Sequence, residues 1–195
     1  MSRKHGLLFG AVVTVLSIII TYFVPLKLDE RGVEFIKKHE YFMASPYRDA
    51  GGVPTIGYGM TYYPWGDSVT MQDSPITKTE ADFYLRKLLK DYEFTVHASV
   101  KADITQSMYD ALVSFSYNVG EDRFTGSRLL KMINENPQDE RLKKEFLRWI
   151  YVKGKPSRGL IYRREKEIEL YFNDPYIFPE REPVVSLSKP DNVKS

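Results

Sequence analysis

Pro46, followed closely by the turn formers Ala50-Gly51-Gly52, forbids a continuous helix through residues 39–59. Proline lacks an N–H and clashes with the preceding turn, so a chain leaving a helix near Glu40 must bend there. Gly51-Gly52 supplies a tight turn, and Val53-Pro54-Thr55-Ile56-Gly57-Tyr58-Gly59 reads as a strand interrupted by glycines. Glu40 and Asp49 lie nine residues apart. On one helix, at about 100° per residue, that spacing would point them to opposite sides. A helix end facing a hairpin turns both acids toward one cleft instead.

Glu40, Asp49 and Thr55, followed by Ile56-Gly57-Tyr58-Gly59, resemble the phage-type lysozyme (endolysin) family of glycoside hydrolases. That family has a Glu on its first helix, an Asp nine residues on and a Thr six residues later, ahead of Ile-Gly-x-Gly. Two positions depart from its pattern: Tyr41 stands where a Gly is usual, and Met60 where a His is usual. The resemblance implies an α+β, mainly helical, two-lobed lysozyme fold with a small β-hairpin lobe and a helical C-terminal lobe. It implies hydrolysis of the β-1,4 bond between N-acetylmuramic acid and N-acetylglucosamine in peptidoglycan. Glu40 would be the general acid, Asp49 and Thr55 would handle a water, and no cofactor is called for. By the same resemblance Tyr117 borders the substrate and Ser127 contacts a sugar, although Ser127 is equally placed to cap a helix. Arg158 is a candidate partner for Glu40. The alternative reading is a membrane-tethered protein that binds peptidoglycan without cutting it, a reading that Tyr41 and Met60 keep open.

The N-terminus carries a separate message. From Gly6 to Leu26 there is no charged residue, after the basic start Met1-Ser2-Arg3-Lys4-His5. As a helix this run would rise about 32 Å, close to the ~30 Å hydrocarbon core of a bilayer. It is longer than a signal-peptide core and ends in Tyr22-Phe23-Val24-Pro25, a poor cleavage site. Residues 1–27 are therefore expected to be an N-terminal signal-anchor transmembrane helix in the cytoplasmic (inner) membrane, single-pass. The catalytic domain, residues 28–173, would lie on the periplasmic side. Gly6, Gly10, Thr14, Ser17 and Thr21 dilute the run, which resembles the signal-anchor-release endolysins whose anchor can leave the bilayer. Residues 174–195, with Pro175, Pro179, Pro183 and Pro190 among polar residues, read as a disordered tail.

Charge and composition remove other classes. Arg3 and Lys4 account for the whole formal net charge of +2, so the remainder is neutral and gives no reason to expect nucleic acid. With no cysteine and three scattered histidines there is no disulfide framework, no thiol nucleophile and no metal-ligand spacing. A monomer is expected.

Helical signals fill the rest. Leu28 to Glu40 reads as the first helix. Thr77-Lys78-Thr79-Glu80 has the form of a capping box ahead of a helix running to about His97. Thr105 caps a helix stopped by Gly120, and Ser127 opens one over Arg128 to Asn134. Pro137 suits a first helical position, predicting a helix through Phe146, Leu147, Trp149 and Ile150. Ser157 caps a last helix from Arg158 to Phe172. On that helix Arg163-Arg164-Glu165-Lys166-Glu167 reads as a solvated face of mixed-sign pairs.

Overall fold

The computed structural model describes residues 26–173. Residues 1–25, which hold nearly all of the expected membrane span, and the tail from 174 lie outside it. Among the described residues no helix is long and apolar enough to cross a membrane.

The first helix, α1 (Glu30–Glu40), begins where Asp29 accepts hydrogen bonds from the backbone N–H groups of Arg31 and Gly32. A two-stranded antiparallel hairpin follows, β1 (Met43–Arg48) and β2 (Pro54–Gly57). Pro46 sits in β1 where the register shifts between Met43 and Tyr47, as expected for a residue with no ladder donor. The long helix α2 (Lys78–Ser99) starts with the complete Thr77/Glu80 capping box. It is followed by α3 (Gln106–Val119), α4 (Glu121–Thr125), α5 (Arg128–Glu135) and α6 (Leu142–Phe146). A second hairpin, β3 (Tyr151–Val152) and β4 (Lys155–Pro156), leads into α7 (Arg158–Asn173).

α3 is the central element. Every residue from Ser107 to Ser116 is buried, because α1, α2, α4 and α7 all pack on it. Phe115 on this helix meets Phe124, Phe146 and Trp149 edge-on at 5.3–6.3 Å between centroids, which ties α4 and α6 to the core. The hairpin lobe has its own smaller core of Ile56, Met60 and Val69, closed by Leu88 from α2. Met60, one of the two departures from the family pattern, is thus a packing residue of that lobe.

Two expectations need correction. The helix predicted from Pro137 to Ile150 is only the five residues of α6. Asn136 and Asp139 spend their side chains on the backbone N–H groups of Gln138 and Arg141, so the chain turns before a helix can start. Beyond it, Lys153 and Gly154 both have positive φ, and Ile150 leads into the β3–β4 hairpin rather than continuing a helix. The second correction concerns the run Arg163 to Glu167. Arg163, Arg164 and Glu167 are buried, and only Glu165 and Lys166 face outward or partly so.

Tyr41, the other departure, ends α1 at φ 53°, ψ 148°, a conformation suited to glycine. Its side chain is 75% exposed, so no packing offsets the strain. Tyr41→Gly is expected to stabilise the fold by about 1 kcal/mol, since such strain costs ~1–3 kcal/mol and glycine returns part of it as chain entropy. Thermal melts check this, and Tyr41→Ala should give no comparable gain.

Candidate active site

The bend at the end of α1 and the hairpin opposite it enclose a cavity of about 390 Å³. Glu40, Asp49, Thr55 and Tyr117 all line it, with Tyr47, Tyr62 and Tyr92 among the other walls. Glu40 is the last residue of α1, and Gly59 faces it. A Cβ on Gly59 would lie 2.6 Å from Glu40 Oε2, and its φ is +78°, so only glycine lets the hairpin approach the carboxylate.

Asp49 closes the β1–β2 loop. Its N–H donates to Val53 O at 3.0 Å, its carbonyl accepts from Gly52 N at 2.9 Å, and its Oδ1 accepts from Val53 N at 2.8 Å. The loop therefore fixes the carboxylate while leaving it acceptor capacity. Thr55, one register step along and 2% exposed, donates its hydroxyl hydrogen to Val53 O at 3.0 Å. Its oxygen is then left to accept.

Tyr47 was not singled out from the sequence, yet it sits among these groups. Burial raises its phenol above the ordinary 10, and the charges of Glu40 and Asp49 both push in the same direction. Its side chain lines the same cavity as both carboxylates. Tyr117 donates to the carbonyl of Tyr58 at 2.7 Å and stacks edge-on against Tyr92 at 5.1 Å. Burial holds its phenol well above the ordinary range, so it remains a donor that straps α3 to the hairpin. Ser127 lies elsewhere. Its hydroxyl accepts from Leu130 N at 3.0 Å as the cap of α5, and it is not among the residues lining the cavity.

Glu40 carries an ion pair with Arg163, not with Arg158. Arg158 is exposed at the first turn of α7, whereas Arg163 lies on the face packed against α3. Arg163 Nε also donates to Glu167 Oε1 at 3.0 Å, and its Nη2 reaches the carbonyl of Ser114 at 3.2 Å. Glu167 Oε1 accepts further from Ser114 Oγ at 2.8 Å and Arg164 Nη2 at 3.1 Å. Burial opposes the charge on Arg163, but Glu40 and Glu167 outweigh it and raise the guanidinium above its ordinary value. Arg164 is pushed down to about 10 by burial, with Glu167 opposing and Arg163 adding to the fall. The result is a cluster of two acids and two guanidiniums, buried except for the partly exposed Glu40, that joins α7 to the cleft. The signal in the sequence was the spacing of Arg163, Arg164 and Glu167 at i, i+1 and i+4, one helix face.

His39 stands beside Glu40 on the far side of the bend. Its Nδ1 is 2.7 Å from the carbonyl of Phe35, so Nδ1 must carry the hydrogen. Nε2 is buried without a hydrogen-bond partner among the described residues, so a proton added there would have no acceptor. Burial accordingly lowers this imidazole below 6.5, Arg163 adds to the fall, and the bond to Phe35 opposes it. The folded state thus binds this proton less readily than the unfolded one, and stability falls as pH drops below 6.5 toward the lowered value. His39→Gln should flatten that part of the pH profile, which thermal melts at about pH 7 and pH 5 would read.

A second cavity of about 270 Å³ lies past Glu40 and shares Glu40, Ala50 and Asn118 with the first. Tyr41, Val152 and Tyr162 form part of its walls. Glu40 therefore stands at the junction of an extended cleft. Among the described residues no cluster of acids and histidines is placed to hold a metal ion.

The chain is similar to known proteins in both sequence and fold. The phage lysozyme family profile matches residues 37–167. The endolysin of Salmonella phage P22 is 31% identical over 149 residues, covering 76% of this chain and 99% of its own. The SAR-endolysin of Enterobacteria phage P21 is 36% identical over 125 residues, covering 64% and 72%. The endolysin of Bacillus phage B103 is 33% identical over 146 residues, and there the match spans about half of the relative's length, 54%. Among solved structures, the endolysin from Escherichia coli O157:H7 phage FAHEc1 superposes with a TM-score of 0.68 at 32% identity, covering 79% of this chain and 97% of that one. The muramidase domain of SpmX from Asticaccaulis excentricus gives 0.64 at 30% identity, covering 74% and 97%. With sequence and fold in agreement, the chain belongs to the phage lysozyme family of glycoside hydrolases.

Proposed function

We propose that this protein is a lysozyme that cuts the β-1,4 bond between N-acetylmuramic acid and N-acetylglucosamine in peptidoglycan. The observation that carries the reading is the convergence of Glu40, Asp49 and Thr55 on one cavity within an extended cleft. Glu40, at the junction, gives its proton to the leaving glycosidic oxygen. On the hairpin side, the Thr55 oxygen has spent its hydrogen on Val53 and can only accept, as can the Asp49 carboxylate. A water donating one hydrogen to each is left with a lone pair for the anomeric carbon, and Asp49 takes the proton as attack proceeds. This division of labour gives inversion at the anomeric centre. Tyr117 forms part of the wall against which the glycan lies.

The anchor belongs to the same reading. The uncharged run from Gly6 to Leu26 supports a single span in the inner membrane, and relatives named SAR-endolysins support an anchor that can be released. Residues 1–27 then hold the enzyme, 28–173 act on the wall, and 174–195 form a tail.

Digestion of purified peptidoglycan, followed by borohydride reduction and mass spectrometry, tests the bond. Fragments ending in reduced N-acetylmuramic acid are expected. Reduced N-acetylglucosamine at the ends would overturn the assignment. Protein that co-sediments with the wall and releases nothing would favour the binding protein.

A further inference from the structure

The outward face of α2 is unusual for a helix on a protein surface. Phe83, Lys87, Lys90 and Phe94 follow one another at intervals of four, three and four residues, which places them in one stripe. Phe94 is 73% exposed and Phe83 is 56% exposed. From Phe83 to Phe94 the stripe runs about 16 Å at 1.5 Å per residue. Lys87 Nζ lies 5.4 Å from the centre of the Phe83 ring, and Asp91 stands at the margin. At the Phe83 end the apolar surface continues through Tyr84 to Trp65, which is also largely exposed. Lys101 adds a further exposed cation just past the other end.

The place where the chain enters the domain says what this face meets. The carbonyl of Leu26 lies 2.6 Å from His97 Nε2, and Leu28 N donates to Glu93 Oε1 at 2.6 Å. The carbonyl of Lys27 accepts from Gln106 Nε2 at 2.8 Å. Leu26, the last residue of the proposed span, is therefore pinned at His97 in the C-terminal turns of α2, three residues past Phe94 along the helix. Any bilayer that holds residues 6–26 lies within a few residues of this stripe, and a short tether keeps its local concentration high.

We propose that in the anchored enzyme the Phe83–Phe94 face of α2 lies on the outer surface of an anionic phospholipid bilayer. The two phenylalanines enter the headgroup boundary, and Lys87 and Lys90 meet the lipid phosphates, the pattern of an interfacial amphipathic helix. The consequence is orientation. Leu88 and Tyr92, on the opposite side of the same helix, line the cleft that holds Glu40 and Asp49. Lying on α2 thus turns the cleft away from the membrane and toward the wall, instead of sealing it against the lipid.

The inference rests on the anchor proposed above, and its test separates the two. The chain has no cysteine, so Asp91→Cys, Ala98→Cys and, as reference, Lys155→Cys on the β3–β4 hairpin each give one labelling site. Full-length protein carrying an environment-sensitive fluorophore is reconstituted in phosphatidylglycerol-containing vesicles and floated on a density gradient. The expected result is flotation, with the labels at 91 and 98 blue-shifted and quenched by nitroxide lipids and the label at 155 unaffected. Adding Lys87→Gln and Lys90→Gln should weaken the contact roughly 25-fold, at about fivefold per charge, and remove the shift while flotation persists. Floating protein whose labels at 91 and 98 match that at 155 would overturn the docking and leave the anchor standing. A chain that does not float would overturn both.

Discussion

Replacing Glu40 by Gln is expected to slow the clearing of purified peptidoglycan by about 10²–10⁴-fold, the usual worth of a positioned general acid. Gln keeps the shape and can still face the Arg163 guanidinium, but it has no proton to give the leaving oxygen. Arg163 retains its second carboxylate, Glu167, so the substitution does not strand a buried cation. A thermal melt close to that of the parent should therefore accompany the loss of activity, which separates a chemical defect from a folding one. Asp49→Asn should lose activity by another route, because Asn cannot accept the proton of the attacking water. If Glu40→Gln kept most of its rate while Asp49→Asn lost it, the acid would lie elsewhere and the assignment would fail.

Glu167→Gln should be the most damaging single change to stability away from the apolar core. Glu167 is fully buried and holds Ser114, Arg163 and Arg164 together, with its Oε2 2.9 Å from Arg164 Nε. Removing its charge leaves Arg164 with no ion-pair partner among the described residues and Arg163 with Glu40 alone. Breaking a buried pair in this way costs about 3–5 kcal/mol, because the remaining charge has no water to turn to. For a domain of this size each kcal/mol lowers Tm by roughly 2–4 °C, so a fall on the order of 10 °C is expected. Calorimetry or circular dichroism would record it. Activity should fall as well, since Arg163 loses one of the groups that aim it at Glu40. A loss below about 1 kcal/mol would mean that water reaches the cluster.

What could be read from the sequence was what local chain geometry fixes. Glu40, Asp49 and Thr55 lie within 16 residues of one another, and Pro46 with Gly51-Gly52 dictates the bend that gathers them. The caps at Thr77 and Thr105 were legible for the same reason, because a cap acts over three residues. Arg163 was not legible as the partner of Glu40, because a run of mixed charges on a helix ordinarily faces water. What buries it is the packing of α7 on α3, a tertiary event with no local mark beyond the i, i+1, i+4 spacing. Tyr47 carried no chemical signature at all, since an aromatic in a strand is ordinarily packing. Pro137 misled because a residue that can begin a helix does not do so when Asn136 and Asp139 compete for the same N–H groups.

The contact between Glu40 and Arg163 joins residues 123 positions apart. All three groups assigned to the chemistry are made in the first third of the chain, yet the guanidinium paired with Glu40 belongs to α7, the last of the described helices. A nascent chain that has passed Thr55 but not Arg163 thus carries these groups without that ion pair. On the proposed assignment, the ion pair that meets the acid can form only when translation of the domain is nearly finished.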